Sequence, residues 1–261
     1  MSRHNRHTPE ELKNFIKLFD SISYRHSYYK VFDDFLDLFI NGWSFNHKID
    51  LPGIRKIYSQ EERNTFGKLI YETIHILNSQ IKEDTDFYDV FGTFYELNSL
   101  TNKHFAQFFT PLPICRFMAQ ILEPQSTELF SDPCCGSARF SLAANSVNIG
   151  MFHSLVDIDY TCAKMSALNL LLHGIDGIVI CDDGLFPGRN FKGAFIVNRS
   201  LRYEKIPRIE YVEDVHLAYN YVRKRVGVSE KPISKTNNSV EDHSDIKDII
   251  VNPVTKQFSL F

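Results

Sequence analysis

Phe130-Ser131-Asp132-Pro133-Cys134-Cys135-Gly136-Ser137-Ala138-Arg139-Phe140 sets a short strand, a carboxylate, a turn of small residues and a helix start in immediate succession. That order is the strand-to-helix turn of a doubly wound α/β sheet. Ligands of such sheets sit at the carboxyl ends of the strands, and small turn residues let the backbone approach them. The dinucleotide fingerprint GxGxxG is absent, which argues against a nicotinamide cofactor. Beyond this turn, short apolar runs alternate with helical stretches. Strands are expected over 128–132, 152–157, 177–181 and 193–198, with Cys162, Met165, Leu168 and Leu172 as a helical stripe between the second and third. Strand, helix, strand at this spacing predicts a parallel sheet covered by helices. Asp157 and Asp159 close the second strand, where a carboxylate can take ribose hydroxyls, and Asp182 and Asp183 close the third. The plainer alternative is an empty turn whose carboxylates cap helices.

The hundred residues before this sheet are helical in pattern. Thr8-Pro9-Glu10-Glu11 offers a capping hydroxyl and a first-turn proline, and Leu12, Phe15, Ile16 and Phe19 then share one face. A second helix is expected over 28–42. Ser59-Gln60-Glu61-Glu62 reads as a capping box opening a long helix through Ile81, and a fourth helix spans 86–100. Much of the chain's complement of 22 Phe falls here, which predicts an aromatic core. After Pro111, Ile114, Met118, Ile121 and Leu122 mark a further helix, and Val212, Val215, Tyr219 and Val222 mark a last one over 209–226. From Ser229 to Lys247 only Ile233, Val240 and Ile246 are aliphatic, which reads as a linker.

Composition narrows the class. The chain has 261 residues, 43% hydrophobic, with 29 basic against 32 acidic side chains and a net charge of −3. Collagen-like, low-complexity and disulfide-scaffold classes are excluded. No apolar run approaches the ~18 residues of a membrane span, and no apolar stretch follows the first residues as in a secretory signal. Five cysteines without a CxxC pair read as reduced thiols of a cytoplasmic protein, with no metal site; Cys134 and Cys135 read as small packing residues rather than nucleophiles. A charge of −3 leaves nucleic-acid binding to a local basic cluster.

Several motifs, in order, resemble the DNA amino-methyltransferases that use S-adenosyl-L-methionine, in particular type I modification subunits and their shorter relatives. Ala106-Gln107-Phe108-Phe109-Thr110-Pro111 resembles the family's GQFFTP, and Asp132 to Ala138 its DPxCGSG. Asp157-Ile158-Asp159 through Asn169 to Gly174 resembles the strand and helix that follow. Tyr24 to Ser27 and Phe91 to Glu96 look like the helical region that precedes the sheet. The resemblance covers roughly residues 10 to 201. It implies an N-terminal helical region over 1–104 and a Rossmann-like methyltransferase domain over 105–227, and the aliphatic-poor composition beyond them reads as a flexible tail over 228–261. It also implies that Gln107, Phe108, Phe109, Thr110 and Pro111 line the methionine end of the cofactor. Asp132, Gly136 and Ser137 would shape the turn, Asp157 would hold the ribose, and Asp183 would meet the adenine ring.

The family's catalytic motif, NPP[FYW], follows its fourth strand. Its Asn and a Pro carbonyl accept the amino hydrogens of a flipped adenine, and its aromatic stacks on the base. Here that position reads Asn198-Arg199-Ser200-Leu201, with the Asn kept and both prolines and the aromatic gone. Loss of the stack alone removes about 1–3 kcal/mol. The resemblance implies about three more strands and a target-recognition region, so the sheet is expected to be truncated after the fourth strand. Two readings follow: an adenine-specific (N6) DNA methyltransferase, weakened or completed by a second methyltransferase or specificity subunit, or a catalytically inactive module of the same fold. DNA contact would fall to Arg199, Arg202 and Lys205, or these form an ordinary solvated helix end. Gln257-Phe258-Ser259-Leu260-Phe261 resembles the peptide by which polymerases dock on the replicative sliding clamp, with Gln257, Leu260 and Phe261 as its anchors; the alternative is a tail packed on its own domain.

Overall fold

Helices precede the sheet because the apolar residues of the first hundred positions recur with helical period. The computed structural model describes residues 8–47, 49–98, 100, 108–126 and 128–227, which belong to one compact unit, Met1–Glu230. A 3₁₀ turn, Glu10–Leu12, leads into α1 (Lys13–Ser23), followed by α2 (Tyr28–Trp43), α3 (Leu51–Ile57), α4 (Gln60–Gln80) and α5 (Val90–Leu97). The Ser59–Glu62 capping box forms with both of its hydrogen bonds, and the Phe rings build the expected core. Phe94 lies 5.0 Å from Phe15, 4.7 Å from Phe19 and 5.4 Å from Phe32, centroid to centroid. Three details differ from expectation. The first helix opens without a side-chain cap. Asp50 caps the short α3 through Gly53 N–H, with Pro52 in its first turn. Asp89 caps α5, which is eight residues rather than fifteen.

The α/β part then runs α6 (Leu112–Leu122), β1 (Leu129–Asp132), α7 (Arg139–Val147), β2 (Phe152–Asp157), α8 (Tyr160–Leu172), β3 (Gly177–Cys181), β4 (Gly193–Val197), α9 (Leu201–Glu204), β5 (Ile209–Val212) and α10 (Val215–Val226). The strands form one sheet in the order β1-β2-β3-β4-β5. The first three are parallel, with Leu129 opposite Phe152 and His153 opposite Gly177. The Rossmann-like expectation holds for these, but the sheet as a whole is mixed. β4 runs antiparallel to β3, pairing Cys181 with Gly193 and Gly177 with Val197, and β5 runs antiparallel to β4. Residues 182–192 are too few for a helical crossover, so the chain must return beside the strand it has just left. Residues 209–212, expected as helix, are β5 instead, because Ile209 and Tyr211 pair across to Val197 and Phe195.

α7 and α8 share the large core with the helical region, whereas α10 covers the other face over Ile178, Ile180, Ala194 and Ile196. α8 lies between α2 and the sheet, and every residue from Thr161 to Leu171 is buried. Its Lys164 would lose its proton in such a place without partners. Asp33 at 2.5 Å and Asp37 at 3.1 Å outweigh the burial and keep it charged. Among the described residues no helix is long and apolar enough to cross a membrane.

Candidate functional site

The turn after β1 is stitched to the end of β2. Asp132 accepts the Cys134 N–H at 3.0 Å, and Cys135 N–H donates to the Val156 carbonyl at 3.0 Å. Gly136 takes φ +56°, which glycine adopts without penalty, and its N–H donates to Asp157 Oδ2 at 2.8 Å. Asp157 Oδ1 accepts the Asp159 N–H at 2.9 Å, and Asp159 in turn caps α8 through Thr161 N–H. Asp183, just past β3, accepts the Leu185 N–H at 3.0 Å. Asp182 points elsewhere: it takes the N–H groups of Gly188 and Asn190 and the Tyr219 hydroxyl, and braces the loop to β4.

Between these strand ends lies a cavity of about 370 Å³, within the ~300–1,000 Å³ range of small-molecule sites. Asp132, Gly136, Ser137, Asp157 and Asp183 all line it, as do Phe108, Phe109 and Thr110. Phe140, Ile158 and Leu185 supply apolar wall. The sequence-selected residues of the first three strands and of the motif before them are thus brought together. Pro111 caps α6 one step outside the cavity, and Gln107 lies outside the described residues.

The electrostatics are anionic. Burial pushes Asp157 up to about 6 in spite of its two N–H donors, and burial also raises Asp132. Arg139 is the one cation among the described residues of the lining, and it is neutralised: Nε meets Asp89 at 2.7 Å and Nη2 meets Glu96 at 2.8 Å. Fully buried Asp89 also accepts Ser137 Oγ at 2.6 Å and Asn169 Nδ2 at 2.8 Å. This network ties α5, the turn and α8 into one piece, and its guanidinium lies 5.4 Å from the Phe109 ring. Sequence reasoning missed it. The signal was Asp89 just before an apolar helix start, where a cap is expected. Burial raises the thiol pKa values of Cys134 and Cys135, so neither is poised as a thiolate.

The structure does not bring Asn198 to this cavity. Because β4 is antiparallel, its carboxyl end lies beside Gly177, at the start of β3, while Asp183 follows the end of β3. Five residues of strand separate the two, roughly 15 Å. Asn198 is buried at φ +57°, and its Nδ2 donates to the carbonyls of Leu170, Leu171 and Ile175 at 3.0–3.2 Å. The expected basic cluster is at the same far end and is internally paired. Arg199 meets Glu210 at 2.8 Å, Arg208 meets Glu204 at 3.0 Å, and Arg202 donates to the Gly150 carbonyl. Lys205 is the αL C-cap of α9. A larger cavity, about 530 Å³, lies there, with Lys82, Asp84, Asp176, Asn198 and Arg202 in its lining. Gln257, Leu260 and Phe261 lie outside the described residues.

Comparison with known proteins identifies the segment that builds the cavity. Residues 86–188 match the N-6 DNA Methylase family. The type I restriction enzyme MjaVIII methylase subunit of Methanocaldococcus jannaschii is 27% identical over 137 residues, covering 49% of this chain and 22% of that protein. The EcoKI methylase subunit of Escherichia coli K12 is 27% identical over 115 residues, covering 37% of this chain and 22% of its own length. A solved modification subunit assigned to a type I restriction enzyme of Vibrio vulnificus YJ016 aligns with TM-score 0.31 and 23% identity over 52% of this chain and 27% of that one. The chain is therefore similar to type I methylase subunits, and the match spans about a fifth of the length of these curated relatives. The family match ends at residue 188, just before the sheet turns antiparallel.

Proposed function

From that kinship over residues 86–188, we propose that the chain is an N-6 DNA methylase-like protein that binds S-adenosyl-L-methionine without completing the adenine-methylating centre itself. The observation that carries this is the separation of Asn198 from the cavity, since the matched segment holds every described cavity residue and stops short of Asn198.

The cavity's chemistry supports this cofactor. Three carboxylates, with no free cation among the described lining residues, favour a ligand with a sulfonium charge and disfavour the phosphates of a dinucleotide. Asp157 would accept the ribose hydroxyls while its two N–H donors keep it oriented. Asp183 would meet the adenine edge, and Gly136 with Phe109 and Thr110 would flank the methionine end. The cofactor supplies an electrophilic methyl group. What this chain's residues supply is binding, orientation and an apolar wall.

Asn198, with its amide donors on three carbonyls, supports a structural role rather than reception of an adenine amino group. The paired arginines give little free charge for phosphate neutralisation, so DNA contact through Arg199, Arg202 and Lys205 is expected to be weak. A second reading is methylation by an assembly with another methylase or specificity subunit. The relatives' names, each a subunit of a type I restriction enzyme, favour it.

Isothermal titration with S-adenosyl-L-methionine tests the proposal together with tritium transfer to mixed-sequence DNA. Expected are binding that Asp157→Ala abolishes and no transfer by the chain alone. Absence of binding overturns the cofactor reading, and transfer that requires Asn198 overturns the separation of roles.

A further inference from the structure

Helix α6 wears its apolar stripe on the outside. Ile114, Phe117, Met118, Ile121 and Leu122 fall at i, i+3, i+4, i+7 and i+8, and they are 39–64% exposed. The residues turned inward, where α6 packs along α7, are the small Cys115 and Ala119. A surface helix ordinarily presents its large apolar side chains to the core and its polar ones to water. Arg116 is the only charged residue of α6, and it lies over the Phe87 ring at 4.4 Å, so the stripe itself carries no charge. α7 packs in turn on β1, and among the described strands β1 is paired on one side only.

We infer that this face joins two copies of the chain, with α6 packed antiparallel to α6 about a two-fold axis close to Met118. Three properties favour a second copy. A two-fold contact needs one self-complementary patch. Rotation about Met118 sets Ile114 against Leu122 of the second copy, apolar against apolar along the whole helix. The stripe also lacks charges that would select a chemically different partner. From these exposures it offers roughly 500 Å² of apolar surface, at the upper end of what monomers leave in water. That is more than half of the ~800 Å² per partner in a standard interface, which leaves the surface flanking the stripe to supply the rest. The inference is independent of the cofactor reading.

Sedimentation equilibrium of the full chain, up to about 100 μM, tests it. The expected mass is twice 30.3 kDa. Ile121→Glu and Phe117→Ser should each weaken association at least about tenfold, with unchanged circular dichroism, because both side chains are exposed. With Cys134 changed to Ser, Met118→Cys should cross-link two copies on mild oxidation, while Lys68→Cys on α4 should not. A wild-type chain that stays monomeric, or that associates only with a different protein, overturns the inference. So does a dimer that survives both stripe substitutions.

Discussion

A Cβ on Gly136 would lie 2.9 Å from Cδ1 of Phe109, so the ring rests on the bare backbone of the turn. Gly136→Ala therefore meets two obstacles, the φ of +56° and the ring. About 2–4 kcal/mol of destabilisation is expected from strain and overpacking together. Adding Phe109→Ala should remove the overlap and leave the backbone strain. Chemical denaturation of the two single variants and the double variant measures both parts.

Binding of S-adenosyl-L-methionine should depend on pH through Asp157. Its pKa of about 6, raised by burial, leaves it ionised at pH 7.5 and protonated at pH 5. If the carboxylate accepts the ribose hydroxyls, affinity should fall about tenfold per pH unit below about 6. Titrations at pH 7.5, 6.5 and 5.5 check this, and Asp157→Asn should bind weakly at all three. The sign for folding is opposite. A carboxyl whose pKa is higher in the folded chain than the ordinary ~3.9 costs stability when ionised, and that cost is relieved as pH falls from about 6 to about 4.

His153 works against it. Its ring is buried beside Phe130, Nδ1 pairs with Ser141 Oγ at 2.8 Å, and Nε2 has no partner. Burial pushes its pKa down to about 3, against ~6.5 unfolded. The unfolded chain then binds more protons between those values, so stability is lost as pH falls through that window. His153 alone accounts for about 2 kcal/mol at pH 5 relative to pH 7. His153→Gln should flatten the acid side of a plot of thermal midpoint against pH.

Asn198→Ala separates structure from catalysis. It removes a donor shared by three buried carbonyls, of which those of Leu170 and Leu171 keep a backbone N–H, and it puts alanine at φ +57°. A destabilisation of about 2–4 kcal/mol is expected, with affinity for S-adenosyl-L-methionine unchanged within about twofold. Calorimetric unfolding and titration on the same sample give both numbers.

Local signals carried well wherever one stretch of chain contained the whole cause. The Ser59–Glu62 box, the span of α2, and strands β2 and β3 follow from capping chemistry and apolar period alone. The acidic strand ends Asp132, Asp157 and Asp183 were legible for the same reason, since each sits where its own strand stops. What failed was direction. Phe195-Ile196-Val197 reads as a strand in either orientation, and only the eleven-residue loop before it shows that a helical crossover cannot fit. The Asp89–Arg139 pair, 50 residues apart, leaves no periodic trace. Nor does the outward turn of Ile114 and Ile121: an amphipathic pattern reports that a face is apolar, and leaves open what it meets.

Lys164 gives the helices and the sheet a common fate. Its helix is buried on both sides, and its charge is matched by carboxylates of α2, residues more than a hundred positions earlier. Removing residues 1–104 would strip α8 of its cover and turn the apolar residues it packs against α2 out to water, so the α/β portion should not survive alone. Heating should give one calorimetric transition for residues 8–227, with agreement between calorimetric and van't Hoff enthalpies, rather than one for the helices and another for the sheet. A ligand bound at the strand ends would then slow hydrogen exchange even in the remote helices, at those amides that exchange only when the whole unit unfolds.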